Sequence, residues 1–319
     1  MATAEQLKSL IRSHFSDDLE RFRTVALQVA AHEAKKGHGS LALDLRNILN
    51  RAQKIKKYPL SFLHTELEGL ILVEQTNIAQ SSLVMNTNLK NRITRILTEY
   101  RQKSKLKLHG LDYRRKILLS GAPGTGKTMT AKVLAKELHL PLYTIQVDRL
   151  VTKFMGETSA KLRQIFDLIK EKPGVYLFDE FDAIGSERTL DNDVGEMRRV
   201  LNAFLQFIEQ DTSDSLIIAA TNHPRLLDHA LFRRFDDVLY YSYPEEDERK
   251  YLIENILGVF KPAEFEWHSI LSKSEDLSHA EIDHACRDAI KYSILENQTK
   301  INAELLLQMI KERKKNYLS

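Results

Sequence analysis

Apolar residues fall at helical spacing from the start of the chain: Leu7, Leu10, Ile11 and Phe15, then Phe22, Val25, Ala26 and Val29, then Leu41, Leu43, Leu45, Ile48 and Leu49. The turn signal Gly37-His38-Gly39-Ser40 separates the last two groups. Residues 1–55 therefore read as a small all-helical unit, suited to holding a partner or substrate. A basic patch, Lys54-Ile55-Lys56-Lys57, precedes Pro59 and opens a connecting segment over 56–85, in which Gly69–Gln75 has the make-up of a short strand. From Asn88 to Lys107 the pattern predicts a basic helix with Ile93, Ile96, Leu97 and Tyr100 on one face.

From Lys116 the period changes. Apolar segments of strand length, Ile117–Leu119, Leu142–Val147, Val175–Phe178, Leu216–Ala220 and Val238–Tyr241, alternate with helical ones. Such alternation predicts a parallel sheet wrapped by helices, an α/β domain over 86–243. After Pro244 the apolar spacing is helical to the end, from Leu252, Ile253, Ile256 and Leu257 to Leu305, Leu306, Met309 and Ile310, giving a helical unit over 244–319.

Composition narrows the function classes. A chain of 319 residues, 43% hydrophobic and 29% charged, can bury a core without staples. A net charge of +3 supplies no strong field for nucleic acid or an anionic membrane. Cys286 is the one cysteine, so no intrachain disulfide forms. No apolar run reaches about 18 residues and no apolar signal core opens the chain, so a cytoplasmic protein without a membrane span is expected. No zinc-protease helix and no G-x-S-x-G elbow is present, so any proteolysis must come from another chain.

The chemistry sits in the α/β part. Gly121-Ala122-Pro123-Gly124-Thr125-Gly126-Lys127-Thr128 fits G-x-x-x-x-G-K-[ST] at every fixed position, between a strand and a helix. Glycines let the backbone curl until several N–H groups face one anion, and the following helix N-terminus adds partial positive charge. ATP contacts are expected from Gly121, Pro123, Gly124, Thr125, Gly126, Lys127, Thr128 and Met129, with Lys127 on the β- and γ-phosphates and the Thr128 hydroxyl on Mg²⁺. Val175–Phe178 runs into Asp179-Glu180, an acid suited to holding Mg²⁺ followed by one placed to polarise the attacking water. Leu216–Ala220 runs into Thr221-Asn222, where the Asn222 amide would orient that water; a turn-former before Pro224 is the plain alternative.

Together these motifs resemble the AAA family of ATPases, over roughly Asn88 to Ser293. Arg198–Leu205 and Leu227–Asp236 resemble the family's second region of homology, which carries arginine fingers; Ser278-His279-Ala280-Glu281-Ile282 resembles the lid segment that closes over nucleotide. The resemblance implies a P-loop NTPase sheet with a C-terminal helical lid, ATP and Mg²⁺ as cofactors, and a homo-oligomeric ring, usually a hexamer. It implies Arg233 or Arg234 as the finger reaching a neighbour's γ-phosphate. Family members often separate two such arginines by two residues, whereas here they are adjacent; Arg234 keeps its place before Phe-Asp and is the preferred finger. The lid has His279-Ala280 where Gly-Ala is common, which brings His279 towards the adenine or ribose or leaves it a satisfied lid histidine. Lys153-Phe154-Met155-Gly156 resembles the first pore loop, with packing on the sheet as the plain alternative, and Gly185–Glu196 suits a second. More narrowly, the chain is similar to short bacterial members with a single ATPase domain, which implies protein remodelling or threading, a separately encoded subtilisin-like serine protease as partner, and stress or anti-phage roles. Two other readings stand beside this one: a nucleic-acid helper, from the basic residues of Arg101–Lys107 with Arg114, Arg115 and Lys116, and an ATP-gated assembly switch.

Overall fold

The computed structural model describes residues 8, 19–39, 42–45, 67, 69–153, 157–185, 194–227, 229–262 and 265–318. The chain divides into two compact units, Met1–Phe62 and Leu63–Ser319. In the first, helix α1 (Leu19–Lys35) turns Val25, Val29 and Ala30 inward, as its apolar spacing requires. Its Glu33 takes a 2.6 Å hydrogen bond with Nδ1 of His38 beyond the turn. The helical groups placed at Leu7–Phe15 and Ile48–Leu49, and the basic patch at 54–57, lie outside the described residues.

The second unit is built on a six-stranded sheet: β1 (Ile71–Glu74), β2 (Lys116–Gly121), β3 (Leu142–Gln146), β4 (Val175–Asp179), β5 (Leu216–Thr221) and β6 (Asp237–Tyr241). The spatial order is β1-β3-β4-β5-β2-β6, with β1 antiparallel to β3 and the other pairs parallel. This is the parallel-dominated α/β sheet of a P-loop fold. Strands β4 and β5 are apolar along almost their whole length because both faces are covered, the mark of central parallel strands. One face carries Tyr176, Phe178, Ile217 and Ala219 against Phe166, Phe181 and Phe204. The other carries Leu177, Leu216 and Ile218 against Leu134 and the apolar stripe of helix α2 (Thr87–Arg101). Helices α3 (Lys127–Glu137), α4 (Thr158–Glu171) and α5 (Val194–Gln210) complete the layers.

Two boundaries differ from the sequence reading. The basic helix stops at Arg101 and restarts as a short helix at Lys103–Leu108. The strand expected to reach Val147 ends at Gln146, and Val147 begins a short helix, Val147–Lys153. Both segments lie where an apolar pattern continues across a change of backbone, which periodicity alone does not resolve.

Beyond β6 come α6 (Glu246–Leu257), α7 (Trp267–Lys273), α8 (His279–Leu295) and α9 (Ala303–Leu318). They share a core of Ile253, Leu257, Ile270, Ile282, Ala285 and Leu306, separate from the two sheet-face cores. Ser278 starts α8 with a capping box: its hydroxyl accepts from Glu281 N (3.3 Å) and its own N–H donates to Glu281 Oε2 (2.6 Å).

Candidate functional site

In a parallel sheet the carboxyl ends of neighbouring strands open on one edge, and here three of them bring the sequence motifs together. β2 ends in Gly121, β5 in Thr221 and β4 in Asp179, with β5 lying between the other two. The loop after β2 curls through Gly124 (φ 73°) and Gly126 (φ 99°) into the first turn of α3. Thr125 closes the curl by donating to Ala122 O (2.7 Å). Lys127 is buried under the loop, its Nζ donating to Gly121 O (2.8 Å) and Ala122 O (2.7 Å). Burial pushes the Lys127 pKa down to about 8, against the pull of the Asp179 and Asp182 carboxylates.

Thr128 Oγ1 donates to Asp179 Oδ2 across 3.0 Å, which ties α3 to the end of β4. Two oxygen ligands at one point beside an anion cradle suit Mg²⁺, which keeps several waters and needs only one or two protein groups. Among the described residues there is no group of three or more His, Cys, Asp or Glu that could hold a metal ion by itself.

Glu180 follows in the left-handed region (φ 53°), uncommon for a residue with a side chain, and its N–H donates to Asp179 Oδ1 (3.1 Å). Its carboxyl pKa is raised, first by desolvation and then by Asp179, Asp148 and Asp182. Neither Asp148 nor Asp182 belongs to the motifs read from the sequence. Asp182 also accepts from Asn222 N (3.1 Å), so one carboxylate links the ends of β4 and β5. The acidic cluster Asp179-Glu180-Phe181-Asp182 was its only signal in the sequence.

The lid touches the cradle. Ala280 N donates to Gly124 O (3.0 Å), and a Cβ on Gly124 would sit 2.5 Å from Ser278 Oγ. His279 is half-buried beside this contact. Pro123 is exposed in the loop, and Met129 is half-buried in the first turn of α3.

The arginines lie elsewhere. β6 runs parallel to β2 with Asp237 opposite Ile117 and Tyr241 opposite Gly121, so residues before β6 stand at the amino edge of the sheet. Asp236 pins that end, its Oδ2 accepting from Arg115 N and Lys116 N at 2.9 Å. Arg233 is exposed, while Arg234 is half-buried in an ion pair with Glu209 of α5. Lys153 ends its short helix; Phe154, Met155 and Gly156, and residues 186–193 of the second loop candidate, lie outside the described residues.

The basic residues noted for nucleic acid largely have acidic partners within the chain: Arg101 with Glu137, Lys103 and Lys107 with Asp214, Arg114 with Glu99, and Arg115 with Asp211. Among the described residues no helix is long and apolar enough to cross a membrane.

Comparison with known proteins matches residues 117–243 to the family described as "ATPase family associated with various cellular activities (AAA)". An AAA family ATPase of Sinorhizobium fredii, y4kL, is 34% identical over 312 residues, 94% of this chain and 92% of that protein. A putative 26S proteasome regulatory subunit homolog of Methanothermobacter thermautotrophicus is 33% identical over 205 residues, 63% of this chain and 55% of its own length. A proteasome-activating nucleotidase of Methanococcus vannielii is 34% identical over 212 residues, 63% of this chain and 52% of its own length. The chain thus spans almost all of the first relative and about half the length of the other two.

Proposed function

The chain belongs to the AAA family of ATPases and hydrolyses ATP, and from that premise we propose that copies of it assemble head to tail into a ring that remodels or threads a protein substrate. The observation that carries the reading is the separation of the arginines from the cradle. β6 has five residues, so its amino end at Asp237 and its carboxyl end beside Gly121 stand about 13 Å apart at ~3.3 Å per residue, and Arg233 precedes that amino end. An arginine at the amino edge does not reach the site at the carboxyl edge of its own sheet. It suits a neighbour's site, and such a heterologous contact closes into a ring, of which a hexamer is the expected size.

Within each site, Lys127 and the loop N–H groups hold the β- and γ-phosphates, Thr128 and Asp179 hold Mg²⁺, and Met129 lies behind the phosphates in the first helical turn. Mg²⁺, when bound, neutralises charge across the phosphate oxygens. Glu180 accepts the proton of the attacking water; its raised pKa and fixed backbone suit a base beside the cradle. Asn222, at the end of the strand between the cradle and Asp179, orients the same water. Arg233 is the finger, because its exposed side chain projects from the edge while Arg234 is occupied by Glu209. This reverses the preference for Arg234 drawn from sequence position.

The proteasome-linked names of two relatives support a polypeptide client; a separately encoded serine protease as partner and a stress or anti-phage role are proposed on the resemblance to short bacterial members alone. Lys153-Phe154-Met155-Gly156 is proposed as the gripping loop: aromatic and thioether side chains offer contact area with little sequence preference. The in-chain pairing of the basic residues weighs against the nucleic-acid reading.

The test is ATPase stimulation. An unfolded polypeptide should raise turnover in the wild type, and Phe154→Ala should lose that rise while keeping its basal rate. Stimulation by DNA that falls steeply with salt would transfer the chain to the nucleic-acid class. Indifference to both would leave an ATP-gated assembly switch.

A further inference from the structure

The finger candidates ride on a short turn that is anchored on both sides. Leu231 and Phe235, which flank Arg233-Arg234, are buried in the sheet core, and Arg234 N donates to Leu231 O at 3.0 Å, closing the turn. Asp236 fixes the next residue to the start of β2, its own N–H donating to Lys116 O at 2.8 Å. Asp237 then carries its carboxylate, 7% exposed, into a group of arginines from other elements. Its Oδ1 accepts from the Arg92 guanidinium of α2 and from Val238 N at 3.0 Å. Its Oδ2 faces Arg114 Nε at 3.7 Å and Arg95 Nη2 at 3.8 Å. Arg114 is held in turn by Glu99, which pairs with its guanidinium and accepts from its N–H at 3.0 Å.

The cluster stands at the amino edge of the sheet, a strand's length from the cradle of its own chain. It is also more than a surface requires. Exposed ion pairs contribute little, whereas a carboxylate taken out of water depends on its partners for the hydration it has lost. Here two carboxylates, Asp237 and Glu99, hold three guanidiniums that would otherwise repel one another. Arg92 and Arg95 stand on α2, whose Ile93, Ile96 and Leu97 are packed into the sheet, so the first residue of β6 is tied to a helix that is itself fixed. The turn bearing Arg233 is thus held by the core, by the β2 backbone and by α2. Such fixing matters for a group that must enter a neighbour's site, because misplacement by about 1 Å costs about 10²-fold in rate.

We propose that Asp237 is a positioning residue for ATP hydrolysis: held by Arg92 and Arg114, it fixes the turn from which Arg233 is presented to the neighbouring copy. The inference rests on the reading of Arg233 as a finger acting in trans. Asp237 touches neither nucleotide nor attacking water, so its loss acts on the neighbour's turnover and leaves its own cradle intact. Asp237→Asn keeps the size of the side chain and removes its charge, leaving Arg92, Arg95 and Arg114 to repel one another beside the turn.

The experiment is ATPase kinetics on the full-length chain, for single variants and for mixtures. Asp237→Asn should keep the wild-type KM for ATP and lose kcat by about tenfold to a hundredfold; Asp237→Glu, which retains the charge, should recover part of the loss. Mixtures give a readout that lost stability does not imitate. Asp237→Asn protein mixed with Lys127→Ala protein should exceed both components, because sound cradles then meet sound fingers. Mixed with Arg233→Ala protein it should follow the weighted mean, since neither supplies a working finger. A variant that is merely less well folded keeps a sound finger in its folded fraction and would raise the activity of Arg233→Ala; that result, or a wild-type kcat in Asp237→Asn, would overturn the assignment. If Asp237→Asn does not fold, Arg92→Gln, a change at a partly exposed side chain, takes its place with the same expected pattern, and a wild-type kcat there would overturn the assignment equally. The control is Arg233→Ala mixed with Lys127→Ala. Without rescue in that control the trans finger itself falls; with it, a failure of the Asp237 pattern removes the positioning role alone.

Discussion

At the scale of single residues the site is an arrangement of opposed pKa shifts. Lys127 is pushed down to about 8 by burial, and Glu180 is pushed up by desolvation and three neighbouring carboxylates. The sign for Lys127 follows directly. Phosphate oxygens stabilise the ammonium, so its pKa is higher with nucleotide bound than without. Affinity is then flat below about pH 8 and falls as pH rises through that value, because binding must take up a proton. Titration of fluorescent ATP binding from pH 7 to 9.5 should show this fall, and Lys127→Arg, whose guanidinium stays charged, should flatten it. Glu180→Gln keeps the shape and loses the basic oxygen; ATP affinity should be near that of the wild type while single-turnover hydrolysis drops by about 10²–10⁴. Turnover at the normal rate in that variant would remove Glu180 as the base.

Elements meet at two glycines, and each reports on a different junction. A Cβ on Gly121 would lie 2.2 Å from Tyr241 O, the backbone of the paired strand, so Gly121→Ala forces β2 and β6 apart. Overpacking of this kind costs about 1–3 kcal/mol, and the midpoint of thermal unfolding should fall accordingly. Gly124→Ala meets Ser278 Oγ at 2.5 Å and must also adopt φ 73°. That variant should weaken nucleotide binding by more than it lowers stability, because the clash is with the lid's first turn rather than with the sheet. The cradle and the two acids were legible in the sequence because each is a local signal, glycines and a lysine at fixed offsets or an apolar strand ending in acid. The six strands were legible because their apolar runs are short and separated by helical periods. The contact between lid and cradle was not: Gly124 and Ala280 are distant along the chain and meet only through the fold. Asp148 acts on Glu180 only through the fold, because it lies some thirty residues before it, whereas Asp182 stood in plain view two residues after Glu180 and nothing but the acidic cluster marked it.

In the whole molecule the arginine pair and the cradle stand at opposite edges, so the site that an arginine completes decides how copies assemble. The register of β6 with β2 puts the arginine pair at one edge of the sheet and the cradle at the other. Removal of Arg233 should therefore leave nucleotide affinity unchanged and lower turnover, by up to about 10³-fold if the guanidinium supplies what trans arginines supply elsewhere in phosphoryl transfer. Arg234→Ala severs the partly exposed pair with Glu209, worth about 0–1 kcal/mol, and should cost less turnover than Arg233→Ala. Mixing decides between cis and trans. Arg233→Ala protein has intact cradles and lacks fingers, whereas Lys127→Ala protein has fingers and lacks cradles. In a mixed ring, each Arg233→Ala protomer whose neighbour is Lys127→Ala regains a complete site. Activity should then exceed that of either variant alone and peak at an intermediate ratio. Activity that follows the weighted mean of the two proteins at every ratio would mean that each chain completes its own site, and the head-to-tail assembly would go with it.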